Sequence, residues 1–345
     1  MRSDAARNRA RILDAARDLV AAQGPEVSMD AIASAAGVAV GTLYRHHPTK
    51  ADLVAAVVED SIEHMAELAE RAAGAVADGA DPAAEVAGLF RAVAGAQIEV
   101  SQLDLAGLAS VAAFAERLAA THDRLDLLIN NAGLMAVDRA RTADGFEMQL
   151  GVNHLGHFAL TARLLPLLLA TPGSRVANMS SMGHRRGRLH DGDLMLDREG
   201  YRRWPAYFQS KLANLLFTAE LQRRLAEAGA GTIAVAAHPG VSRTDLGTEG
   251  SGLTNRLSHL SMGLAQPAPV GALPMLRAAT DPSVRGGQFW GPRFVVRGRR
   301  PVVETPSRRA RDAAAARRLW AASVELTGLE PQVPAQQKTK PSSAG

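Results

Sequence analysis

Residues 125–133 read LDLLINNAG, an apolar run interrupted by Asp126 and closed by two asparagines, an alanine and a glycine. A short apolar run bounded by turn residues reads as a strand buried on both faces. Strands of that kind belong to parallel sheets covered by helices. On either side the same pattern repeats. Strands are expected at Ile98–Leu103, Leu125–Asn130, Arg175–Ser180, Thr232–His238 and about Gly287–Trp290. Helical periodicity fills 107–121, 145–170, 205–228 and 269–280, with a last helix near 307–326. Strands alternating with helices predict an α/β parallel sheet from about Gln97 onward.

Before Gln97 the pattern is helical throughout. Ile12, Leu13, Ala16, Leu19 and Val20 recur at helical spacing over residues 4–23, and Gly24-Pro25 ends that helix. Ser28 caps a short helix, Met29–Ala35, Gly37 turns the chain, and a second short helix runs from about Ala39 to His46. Thr49 and Asp52 are spaced as a capping box for a longer acidic helix reaching about Ala73. A Gly/Ala/Asp loop at 74–82 and a helix at 83–96 complete this half. Pro331–Gly345 has the Pro-, Gln- and Ser-rich composition of a disordered tail.

At 345 residues and 47% apolar, the chain can fill two domain cores. The absence of cysteine excludes disulfides and thiolate metal sites, and no metal is expected. The N-terminus lacks the apolar core of a signal peptide. The greasiest stretch, Phe158–Ala170, contains Arg163 and Pro166 and falls short of the ~20 residues a membrane span needs. A cytoplasmic location without membrane contact is therefore expected. The net charge of +4 collects toward the C-terminus, from Arg285 to Arg318, whereas Glu59–Glu70 is acidic. Nucleic-acid binding must therefore be argued from local pattern rather than bulk charge.

The local pattern is there. Two short helices joined by a glycine turn form a helix-turn-helix, whose second helix would enter the major groove. Val38 and Leu43 would face inward. Val40, Gly41, Thr42, Tyr44, Arg45 and His46, with His47, would face out toward DNA. Lys50 would meet phosphate at a helix N-terminus, with Arg2, Arg7, Arg9 and Arg11 adding backbone contacts. An alanine-rich bundle that touches no DNA fits the same helices.

The second half carries a different chemistry. Asn130–Gly133 end one strand, Ser180-Ser181 end another, Asn153 lies on the helix between, and Tyr207 and Lys211 share one face of the next helix. A tyrosine with a pKa near ~10 is a poor proton donor or acceptor at neutral pH, but a nearby ammonium would lower that value. Tyr207 could then give a proton to a carbonyl, or take one from an alcohol, while hydride moves at the neighbouring carbon. Ser181 would hold the substrate oxygen. Asn153 would hold a water passing protons from Lys211 to bulk. Singly, each is an ordinary turn or surface feature; the informative fact is their order on consecutive α/β units.

Two resemblances follow from these residues. The run AIASAAGVAVGTLYRHHPTKADLVAAVV (31–58) resembles the DNA-binding head of the tetracycline-repressor (TetR) family, over about residues 5–95. That resemblance implies DNA contacts from Thr42, Tyr44 and their neighbours, with Lys50 on phosphate. The family's larger ligand-binding and dimerising domain does not follow it here. The motifs QLDLAGLASV (102–111), LDLLINNAG (125–133), QLGVNHLGHF (149–158), NMSSMGHRRG (178–187), YFQSK (207–211) and AAHPGVSRT (236–244) resemble the short-chain dehydrogenase/reductase family, closest to its retinol-dehydrogenase-like branch. This second resemblance implies an NAD or NADP cofactor. Asp104 with Leu105 would lie beside adenine, and Asn131, Ala132 and Gly133 would line the adenosine side. Tyr207 and Lys211 would stand at the nicotinamide ribose, and Pro239, Gly240, Val241 and Thr244 at the nicotinamide. Residues 246–264 would form a substrate loop for a small apolar carbonyl or alcohol. Bodies of this family self-associate, which makes a homodimer the expected assembly.

The family's opening strand, glycine-rich turn and helix are not found before Ile98. That turn normally cradles the pyrophosphate with backbone N–H groups. Without two or three such bonds, cofactor binding would weaken on the order of a hundredfold to a millionfold. The expected fold is thus an all-α helix-turn-helix head (1–97), a truncated α/β Rossmann-like parallel-sheet domain (98–330) reduced to about five strands, and a disordered tail (331–345). Three readings compete: an oxidoreductase with a DNA-binding head, a TetR-type regulator with a dehydrogenase-like sensor, and a non-functional fusion of two truncated genes.

Overall fold

The structure, a computed structural model, describes residues 2–23, 27–50, 52–54, 56–57, 60, 99–198, 200–241, 268–296, 298 and 300–333. The chain divides into two compact units, Met1–Val100 and Ser101–Gly345.

In the first unit α1 (Arg2–Gln23), α2 (Met29–Ala35) and α3 (Val40–His46) form the helix-turn-helix. Ser28 Oγ accepts the Ala31 N–H and caps α2, and Gly37 turns the chain with φ +62. Ile12, Leu13, Ala16, Ile32, Leu43 and Leu53 build the head's own core. Thr49 Oγ1 accepts the Asp52 N–H at 3.1 Å, the N-cap bond of the expected capping box.

The second unit is a five-stranded sheet in the order β1 (Leu127–Asn130), β2 (Arg175–Met179), β3 (Ile233–Ala237), β4 (Phe289–Pro292), β5 (Pro301–Glu304). Neighbouring pairs are parallel except β4–β5, which is antiparallel. The helices are α4 (Leu108–Thr121), α5 (Met148–Leu150), α6 (His157–Ala170), α7 (Arg203–Glu227), α8 (Ala268–Thr280) and α9 (Ala313–Thr327). One face of the sheet offers Ala177, Val235 and Ala237 to Met275, Ala278 and Ala279 of α8. The other offers Val176 and Ala234 to Phe158, Leu165, Phe217, Leu221 and Trp320. Phe158, Phe217 and Trp320 meet edge-on or tilted, with centroids 5.3–5.9 Å apart.

Two expectations about the sheet are corrected. Residues 99–103 of the expected first strand are irregular backbone, and β1 has no outer neighbour among the described residues. A strand is a pairing relation, and this segment gains no partner on which to form one. Ile129 of β1 is left 38% exposed. The fifth strand is instead β5, a short PVVE segment that opens on a proline, made extended by its ladder with β4.

Candidate functional site

The candidate residues of the second unit come from the carboxyl ends of β1, β2 and β3 and from α7, where the crevice of a parallel α/β sheet lies. Asn130 at the end of β1 stands opposite Asn178 of β2 and donates to its Oδ1 at 2.8 Å and to Thr161 Oγ1 at 3.0 Å. Asn178 in turn donates to Thr218 Oγ1 of α7 at 3.0 Å. This buried ladder fixes the height at which β1 and β2 release their chain ends. Beyond it, Asn131 and Ala132 are exposed and Gly133 is partly buried.

Gly133 fits where no other residue would. A Cβ there would stand 2.9 Å from Asn153 Oδ1 and 3.2 Å from Lys211 Nζ. Asn153 lies in a π-helical turn, Gly151–Gly156, between α5 and α6. Such turns are uncommon and frequently occur at functional sites. Glycines at its two ends let it pack: a Cβ at Gly151 would overlap Thr142, and one at Gly156 would stand 2.5 Å from Leu105 O.

The Asn153 side chain is held by protein partners. Its Nδ2 donates to Leu134 O at 2.9 Å and Ser210 Oγ at 2.8 Å, and its Oδ1 accepts the Leu134 N–H at 2.7 Å. Both donors are spent on protein. Ser210 Oγ, which sequence reasoning missed, passes the link on by donating to Tyr207 O at 2.8 Å. Asn153 therefore ties the Gly133–Leu134 segment to the turn of α7 that carries Tyr207.

Tyr207 and Lys211 are both buried on α7, with Lys211 Nζ 5.9 Å from the Tyr207 ring centroid. Burial pulls the Lys211 ammonium down from its ordinary 10.5 to about 8, and Nζ reaches Met179 O at 3.4 Å. Tyr207 departs from expectation. Burial raises its pKa, and the hydrogen bond with Ser181 offsets only part of that rise.

Ser181 caps a short 3₁₀ turn, Met182–Arg185, and accepts the Gly183 N–H at 3.1 Å. His184, also missed from sequence, donates from Nδ1 to Ser181 O at 2.7 Å and accepts the Ser307 N–H at Nε2 at 3.2 Å. Burial holds its pKa down at about 4. The next residue, Arg185, donates to Glu304 Oε2 at 3.1 Å.

Pro239, Gly240 and Val241 follow β3, and Gly240 has φ +71 with no room for a Cβ against Val296 O at 2.5 Å. Val241 donates its N–H to Val296 O and is 42% exposed. Thr244 and residues 246–264 lie outside the described residues. Asp104 is exposed and spends Oδ1 on the Ala106 N–H in its own turn, with Leu105 packed against Gly156. Gly133 lies against Asn153 and Lys211 at the carboxyl end of the sheet. Asn131 and Ala132, next to it in the chain, are exposed. Among the described residues no cluster that could hold a metal ion occurs, and no helix is long and apolar enough to cross a membrane.

In the head, Val40, Gly41, Tyr44, Arg45 and His46 of α3 are exposed, Thr42 is half-buried, and nothing crowds a Cβ at Gly41. Arg45 folds back onto Thr42 Oγ1 at 2.9 Å and Gly41 O at 3.2 Å. Lys50 opens the next helical stretch, partly buried. His47 does not face out. It is buried, and burial, then His46 and Arg9, lower its pKa.

Comparison with known proteins agrees with this division. A family model described as short chain dehydrogenase matches residues 62–251, and one for bacterial regulatory proteins of the tetR family matches residues 12–57. The first match begins upstream of the Ile98 boundary expected from sequence, in a stretch outside the described residues. Human retinol dehydrogenase 13 is 41% identical over 241 residues, covering 68% of this chain and 70% of that protein. Human retinol dehydrogenase 12 is 42% identical over 233 residues, covering 68% and 71%. A crystal structure of an uncharacterised protein from Mycobacterium paratuberculosis is 46% identical, with a TM-score of 0.60, over 73% of this chain and 82% of that one.

Proposed function

Because the chain belongs to the short-chain dehydrogenase family and carries a tetR-type head, we propose that it is a nicotinamide-dependent oxidoreductase of apolar carbonyls or alcohols that also binds DNA. The observation that carries the reading is the convergence of Ser181, Tyr207 and buried Lys211 at the carboxyl end of a parallel sheet.

Lys211, Tyr207 and Gly240–Val241 would hold the nicotinamide side of NAD or NADP, and Asn131–Gly133 the adenosine side, with Asp104 and Leu105 beyond it. A bound nicotinamide supplies or accepts the hydride. The protein's part is proton transfer and placement. The Ser181 and Tyr207 hydroxyls, bonded to each other, would together hold the substrate oxygen. Tyr207 would give its proton to a carbonyl oxygen in reduction and take one from an alcohol in oxidation. Lys211, charged below about pH 8, favours the phenolate that remains after the proton has moved. The substrate's apolar character is inferred from the relatives' names and from the leucines of 246–264.

The test is a fluorescence titration of the full chain with NADH and, separately, NADPH, followed by turnover of medium-chain aldehydes. Saturable micromolar binding, with turnover lost in Tyr207→Phe, supports the reading. A folded sample that binds neither cofactor at millimolar concentration removes it. The exposed outer face of α3 favours a second reading, a regulator whose dehydrogenase-like unit senses cofactor. This reading requires a DNA probe to shift and cofactor to change that shift. A blank in both assays would leave a fusion with neither function.

A further inference from the structure

We propose that Glu304, on the antiparallel strand β5, is a positioning residue that holds the Ser181 turn and the Pro239–Val241 loop in register with each other. The inference rests on the oxidoreductase reading, in which one of those segments meets the substrate oxygen and the other the nicotinamide end.

Glu304 is nearly buried, with 8% of its side chain exposed, and each carboxylate oxygen takes a different partner. Oε2 accepts from Arg185 Nη2 at 3.1 Å, and Arg185 closes the 3₁₀ turn that Ser181 caps. Oε1 is bonded to His238 Nε2 at 2.9 Å. His238 Nδ1 accepts the Gly240 N–H at 3.1 Å, which leaves Nε2 as the hydrogen-bearing nitrogen facing Glu304. One carboxylate therefore reaches the backbone of the candidate cofactor loop in one direction and the candidate serine turn in the other. Burial alone would raise its pKa, but the bonds from His238 and Arg185 prevail and hold it below the usual carboxylate range.

Surrounding packing is built to the same end. A Cβ at Gly291, on neighbouring β4, would overlap both Glu304 Oε1 and His238 Nε2. The Phe289 ring packs against the His184 and His238 imidazoles, with centroids 5.3 and 5.2 Å away. Ser307, three residues beyond Glu304, grips the serine turn a second time through His184. Hydride transfer tolerates little misplacement, since a shift of about 1 Å can cost about a hundredfold in rate. A rigid shared anchor meets that demand.

The experiment uses the full chain with Glu304→Gln, Arg185→Met and Arg185→Lys. It has two readouts that do not depend on turnover: NADH and NADPH fluorescence titration, and ultraviolet titration of Tyr207, isolated by subtracting the matching Tyr207→Phe protein. In Glu304→Gln, cofactor affinity should fall about tenfold, as for one lost hydrogen bond to a charged group. Its Tyr207 pKa should also rise as the Ser181 bond loosens. Arg185→Met should raise the Tyr207 pKa and leave cofactor affinity alone, and Arg185→Lys should restore the wild-type titration. A folded Glu304→Gln protein with an unchanged Tyr207 titration overturns the proposal. If Glu304→Gln does not fold, Arg185→Met decides, because its side chain is 44% exposed. If the wild type binds no cofactor, the oxidoreductase reading fails, and the Tyr207 titrations still judge the serine arm.

Discussion

Replacing Lys211 with methionine should stabilise this protein at neutral pH. Lys211 is 3% exposed, and its ammonium has one long hydrogen bond, at 3.4 Å, to Met179 O. Burial lowers its pKa from 10.5 to about 8. The unfolded chain therefore holds its proton more tightly than the folded one. The folded state pays the full penalty below about pH 8, and stability rises as the pH climbs from about 8 to about 10.5. At about 1.4 kcal/mol per pKa unit, the penalty is about 3 kcal/mol. Methionine keeps the apolar stem and loses the weak bond and the contact with the Tyr207 ring, about 1 kcal/mol together. The net expectation is about 2 kcal/mol of added stability near pH 7. Urea unfolding followed by tryptophan fluorescence measures it cleanly, because Trp204, Trp290 and Trp320 all lie in the second unit. The difference between variant and wild type should shrink by about 2 kcal/mol between about pH 7 and about pH 9.5. A variant less stable at pH 7, or a difference that does not change with pH, would refute the reasoning.

Two further outcomes are expected. Asn153→Ala leaves the N–H and C=O of Leu134 without partners in a partly buried place, and should lower stability by about 3 kcal/mol in the same urea assay; a loss under about 1 kcal/mol would mean that the segment re-pairs. Leu43→Ala empties a fully buried site in the head, at about 2–5 kcal/mol, and should abolish any DNA shift together with the head's helical circular dichroism. Full helicity in that variant would show that α3 does not depend on the Leu43 contact.

Whatever depends on periodicity and end chemistry was legible in the amino-acid order. Of the expected strand Leu125–Asn130 the last four residues form one, Ser28 reads as a cap and accepts the Ala31 N–H, and Tyr207 and Lys211 read as one helix face and share it. Each follows from residues a few positions apart. Three things did not follow, and tertiary structure decided them. The segment at 99–103 has strand-like residues but no neighbour to pair with, whereas Pro301–Glu304 has β4. The lysine four residues on suggested a lowered pKa for Tyr207, but spacing carries no record of burial, and burial reversed the sign. Glu304 stands 66 residues from His238 and 119 from Arg185, so no local pattern could join them. Sequence fixes which faces are apolar and where elements end, because those are local properties of a helix or a strand. Pairing partners, desolvation and the meeting of distant polar groups depend on which surfaces finally pack together, and that is settled only when the chain has folded.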